Sequence, residues 1–224
     1  MSSVLATGIV LAGGRATRFG ADRLAAPLDA RPLLHRAILA VASVVDEVVV
    51  VIGSDGARPS MPADADAPVR VVRDAVAGRG PLVGLAAGLE AAHGSLALLV
   101  GGDQLWLSPA VLAEFLLWLG GDAGEASLDG VALTDGGLLR PLPAALRVAT
   151  VRPIVATQLE RGDPSLLGLF RHLRMGTLEP ARWQGSTQPV RRSAMSTHRT
   201  THGDRDGSSA VAGRPAPAVG SARP

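Results

Sequence analysis

Four short apolar runs punctuate the first hundred residues: Thr7–Leu11, Glu47–Ile52, Val69–Arg73 and Leu96–Val100. They are nearly continuous rather than alternating, which predicts parallel strands covered on both faces. Between them the apolar period lengthens. Over Arg31–Val45, apolar residues at 33, 34, 37, 38, 41, 42 and 45 share one helical face, with Pro32 near the first turn. Leu82–His93, after a Gly-Pro turn, and Pro109–Leu119, behind Ser108 as N-cap, predict two more helices. Strand and helix in alternation predict an α/β domain, a doubly wound and mostly parallel sheet with right-handed crossovers. Further along, Val131–Thr134 and Leu138–Arg147 read as strands around the turn Asp135-Gly136-Gly137. Helices are expected over Arg152–Arg161 and Pro164–Arg174.

The pattern ends near residue 184. From Gly185 the chain is mostly Ser, Thr, Arg, Gly, Pro and Ala, and cannot bury enough apolar area to offset the entropy of ordering. The expected organisation is therefore one domain over 1–184 and a disordered tail over 185–224. No apolar run reaches the roughly 18–20 residues that span a bilayer, so no membrane association is expected. Met1-Ser2-Ser3 lacks the charged lead of a secretion signal. With no cysteine, disulfides, zinc–thiolate sites and a cysteine nucleophile are excluded. A cytoplasmic protein is the plain expectation.

Charge changes this picture little. All 22 basic residues are Arg, and Lys, Tyr and Cys are absent. Almost nothing titrates between the α-amino group and Arg, so a formal charge of only +2 carries the isoelectric point to about 10.7. The excess sits in the tail, with six Arg against two Asp, whereas residues 1–184 hold 16 Arg against 18 acidic residues. A near-neutral domain without interleaved aromatics does not predict nucleic-acid binding.

Residues 8–23 carry the chemistry. Ile9-Val10-Leu11 breaks into a loop with Gly13, Gly14 and Gly20, the arginines 15, 18 and 23, and Asp22. Glycines let backbone N–H groups approach a polyanion, and arginines add forked donors for phosphate oxygens. A P-loop is excluded by spacing and by the absence of Lys. The dinucleotide fingerprint is excluded because Gly13 and Gly14 are adjacent. What remains, L-A-G-G-x-x-x-R-x-G-x-D-R followed by Pro32-Leu33-Leu34, resembles the signature of the nucleotidyltransferase family that includes molybdenum cofactor guanylyltransferase. Asp74 with Gly80-Pro81-Leu82-x-Gly84, and Asp103 after Gly101-Gly102, match two further segments of that family.

The resemblance implies a Rossmann-like nucleotidyltransferase fold that transfers GMP from GTP to a molybdopterin-type phosphorylated acceptor and releases pyrophosphate. Leu11, Ala12, Gly13 and Gly14 would supply nucleotide-binding backbone, and Arg18 and Arg23 would hold the triphosphate. Asp103 would ligate Mg²⁺. Asp74 and Gly80 would lie on the nucleotide side, Asp74 near base or ribose. Arg140-Pro141-Leu142-Pro143-Ala144 resembles an acceptor-side segment, but a strand with ordinary prolines is the better reading. Molybdoenzymes or other cofactor-biosynthesis proteins are the implied protein partners.

Two departures leave alternatives open. Arg23 replaces a family Lys, and Gln184-Gly185-Ser186-Thr187 stands where the family continues into an Asn/Asp-rich segment. A related transferase using CTP or another phosphorylated acceptor, or a nucleotide-binding member without catalysis, are the competing expectations. His35 and His93 fit helix faces or ends, and Arg171, His172 and Arg174 a solvated helix face.

Overall fold

Alternate residues of the central strands point to opposite faces, and each face meets its own layer of helices. The computed structural model describes residues 5–13, 24, 27–28, 31–75, 80–105, 107–121 and 128–179. Its strands are β1 (Ala6–Leu11), β2 (Pro27–Leu28), β3 (Arg31–Pro32), β4 (Glu47–Ile52), β5 (Val69–Arg73), β6 (Leu96–Gly101), β7 (Gly130–Asp135), β8 (Leu138–Arg147) and β9 (Met175–Leu178). The helices are α1 (Leu33–Ala42), α2 (Pro81–Ala91), α3 (Pro109–Gly120), α4 (Val148–Glu160) and α5 (Leu166–Phe170).

Seven strands form one sheet in the order β5-β4-β1-β6-β8-β7-β9, and β2 pairs with β3 separately. Only β8 runs against the rest of the sheet, antiparallel to both β6 and β7. Val10, Val48, Val50, Leu98 and Val100 face α1 and α3 in one core cluster. Ile9, Val49, Val51, Ala97 and Leu99 face α2, α4 and α5 in the other. Burial on both faces is why these strands read as unbroken apolar runs.

The edges of several elements differ from expectation. The first helix begins at Leu33, because Arg31 and Pro32 pair with Leu28 and Pro27 in an antiparallel ladder. Helix α4 starts at Val148 and keeps Pro153 in its interior. Val148, Val151 and Val155 are buried against the sheet, and that packing draws the segment before the proline into the helix. The expected helix over Pro164–Arg174 is only Leu166–Phe170, with the Ser165 side chain accepting from the Gly168 amide as N-cap. The chain then turns into β9, which pairs parallel with β7. Arg174 is accordingly not part of a solvated helix face. Its guanidinium binds both oxygens of buried Asp129, at 3.0 and 3.2 Å, and its amide adds a third bond at 2.8 Å. The expected disordered tail lies outside the described residues.

Opposite the strands' carboxyl ends, Glu47 gathers five donors. Its carboxylate accepts from Thr7 Oγ1 at 2.7 Å, the His93 amide at 2.8 Å, His93 Nδ1 at 3.0 Å, and two Arg70 nitrogens at 3.0 and 3.3 Å. Burial raises the pKa of this group, and the donors more than reverse that, bringing it down to about 2.

Candidate active site

The chain leaves β1 outward to β4 and β5, then returns to the other side of β1 to form β6. The crevice outside the carboxyl ends of β1 and β6 is thus the point where winding reverses, the place where open α/β sheets bind ligands. Leu11, Ala12 and Gly13 emerge there from β1, and Gly101, Gly102 and Asp103 from β6. Backbone bonds lock them together: the Gly102 amide donates to the Leu11 carbonyl at 2.9 Å, and the Ala12 amide to the Val51 carbonyl at 2.7 Å. A Cβ on Gly13 would lie 2.8 Å from the Gly53 nitrogen and 3.2 Å from the Ile52 carbonyl carbon. Only glycine lets the loops after β1 and β4 approach so closely.

Asp103 sits exposed in the turn after β6. Gln104 shapes that turn, its Oε1 accepting from the Gly101 amide at 2.8 Å. Among the described residues no three His, Asp or Glu side chains gather around a metal position. One exposed carboxylate on this turn fits Mg²⁺ nonetheless, since this ion keeps several waters and takes one or two carboxylates plus substrate phosphates.

Asp74 lies two strands away from β1, at the end of β5, and is buried. Its amide donates to the Ile52 carbonyl at 2.9 Å, and its Oδ1 accepts from the Ser54 amide at 2.9 Å. Burial raises the Asp74 pKa; the Ser54 bond opposes the rise and the Asp55 charge adds to it. Its carboxylate therefore fastens the loop after β4. Gly80 precedes α2 at φ 95°, a left-handed conformation that suits glycine, with Pro164 packed where a Cβ would project. One turn further, Gly84 lets the helix rest on the Leu11 side chain. Arg140 lies in β8, ion-paired with Asp135. Gly14, Arg18 and Arg23 lie outside the described residues.

Between the loops after β1 and β4 is a pocket of about 210 Å³. Ala12, Leu24, Pro32, Leu34 and Ile52 give it apolar walls, and Gly53, Gly56, Arg58, Ser60 and His35 its polar rim. His35 Nε2 lies 2.9 Å from the Ser60 carbonyl, which requires the proton on that nitrogen. His35 lies on the helix that the sequence predicts, but neither its place at this pocket nor Ser54 and Ser60 carry a local signal. A larger hollow of about 390 Å³, lined by Ile154, Gln158, Arg161 and His172 among others, shares no residue with this site.

A family model described as the MobA-like NTP transferase domain matches residues 8–175, from β1 to the start of β9. The chain belongs to the MobA-like NTP transferases. It is 34% identical over 154 residues to a protein of Chloroflexus aggregans named "Probable molybdenum cofactor guanylyltransferase", covering 67% of this chain and 70% of that one. The fold matches molybdopterin-guanine dinucleotide biosynthesis protein A from Archaeoglobus fulgidus, with a TM-score of 0.59, 20% identity and coverage of 80% and 86%. It also matches a Mycobacterium tuberculosis H37Rv protein solved as a manganese complex, with a TM-score of 0.54, 20% identity and coverage of 80% and 89%. The matched segment thus spans the sheet apart from the first two residues of β1 and the last three of β9. No helix among the described residues is long and apolar enough to cross a membrane.

Proposed function

We propose that this MobA-like transferase moves GMP from GTP to the phosphate of molybdopterin carrying molybdenum. An oxygen of the acceptor phosphate forms a bond to the α-phosphorus of GTP, the bond from that phosphorus to the bridging oxygen breaks, and pyrophosphate departs. The observation that carries this reading is the joining of Leu11-Ala12-Gly13 to Gly101-Gly102-Asp103 at the reversal point of the sheet. Glycine-rich backbone beside a carboxylate supports a phosphate and metal site there. The names borne by the relatives supply the base and the acceptor.

The chain's own work is positioning and charge compensation, because phosphoryl displacement needs little covalent help. Backbone at Leu11, Ala12, Gly13 and Gly14 cradles the phosphates, and Arg18 and Arg23 neutralise them. Asp103 would hold Mg²⁺, which supplies electrophilic stabilisation to phosphate oxygens when bound; a relative's manganese complex accords with a divalent ion. The 210 Å³ pocket beside Ala12 has room and apolar walls for one flat base. Gly80 starts the helix that backs Leu11. Asp74 acts on the nucleotide side through the loop it fastens.

Pyrophosphate release tests the proposal. It should require GTP, Mg²⁺ and molybdopterin acceptor together. Binding of GTP with no release in the complete mixture would leave a nucleotide-binding protein and overturn the catalytic reading.

A further inference from the structure

The loop over 53–60 forms one wall of the pocket, yet it holds no helix or strand of its own. Eight residues that include two glycines lose considerable entropy when fixed. An exposed cation supplies three of the bonds that restrain them. Arg73, the last residue of edge strand β5, reaches back with NH1 3.2 Å from the Gly53 carbonyl, 2.9 Å from Ser54 and 2.8 Å from Gly56. Next to it, Asp74 takes the Ser54 amide, and at the far end His35 meets the Ser60 carbonyl. Among the described residues, Arg73 pairs with no carboxylate. Its guanidinium donates, among the described residues, to carbonyls of this one loop.

We infer that Arg73 is the positioning residue of the nucleotide-facing loop, holding 53–60 in its binding conformation before GTP arrives. This rests on the reading of the pocket as the base site. A loop ordered in advance lowers the cost of binding. Arg73 is remote from the reacting phosphates, which lie on the β1–β6 side. Its loss should therefore weaken ground state and transition state alike, raising KM while sparing kcat.

The test compares the full chain with Arg73→Met, which keeps the stem and removes the donors, and Arg73→Lys, which keeps a cation. Arg73→Met should raise the GTP dissociation constant and KM at least about fivefold, with kcat within about twofold and an unchanged melting temperature. Arg73→Lys should fall closer to wild type than Arg73→Met. The inference is overturned if wild type binds GTP and Arg73→Met binds it equally well, or if kcat falls while KM stays. A wild-type chain that binds no GTP overturns the site reading and this inference together.

Discussion

The amide of Gly102 donates to the carbonyl of Leu11 across 2.9 Å, so the turn carrying Asp103 cannot move independently of the loop that begins at Ala12. The proposed metal ligand and the proposed phosphate cradle are thereby held in one frame. Asp103 is exposed and serves no packing role. Asp103→Asn should therefore leave the melting temperature unchanged while transferase activity drops about 100-fold or more, the usual scale for removing a key electrostatic stabiliser. Retained activity would remove Asp103 from the site.

Gly13 offers a complementary test on the backbone side. A methyl group there meets the main chain of Ile52 and Gly53, not a side chain that could rotate away. Gly13→Ala should push the loops after β1 and β4 apart and weaken GTP binding at least about tenfold, or ~1.4 kcal/mol. The secondary structure, read by circular dichroism, should stay intact. Equal affinity would mean that the close approach has no bearing on the nucleotide.

Arg23 stands where the family has Lys, and the two are not interchangeable on phosphate. If its guanidinium holds the triphosphate, Arg23→Ala lowers kcat/KM at least tenfold, about 1.4 kcal/mol. Steady-state kinetics with GTP as the varied substrate decides this. An unchanged value excludes Arg23 from the site.

Acid should attack the opposite end of the sheet first. The Glu47 pKa is about 2 in the folded protein and near 4.5 when free. The unfolded chain therefore takes up the proton before the folded one does. The stabilisation, roughly 3 kcal/mol, is fully present above pH 4.5 and is lost as pH falls toward 2. Urea midpoints measured across that range should decline steeply in wild type and more shallowly in Glu47→Gln. Parallel declines would show that the Thr7, Arg70 and His93 bonds do not set the acid limit.

Elements governed by local signals are legible in the sequence. Glu47–Ile52 and Val69–Arg73 are strands over those same residues, and Gly136 and Gly137, both at positive φ, make the expected turn between β7 and β8. Elements governed by distant partners are not. Met175–Leu178 is a strand because β7, some forty residues earlier, offers it an edge. The helix expected over Arg152–Arg161 begins instead at Val148, because buried valines on both sides of Pro153 draw the preceding turn into it. The candidate site divides along the same line. Glycine spacing singled out the loop after β1 as a candidate, and the family resemblance singled out Asp103. Nothing in the order of residues showed that Arg73 and Asp74 clamp a loop twenty positions upstream.

Calorimetric titration of the full chain with GTP, CTP and ATP, with and without Mg²⁺, bears most directly on the central claim. One GTP should bind per chain only when Mg²⁺ is present, with CTP and ATP weaker by at least about tenfold. Preference for CTP, or no metal-dependent binding of any nucleotide, would contradict it.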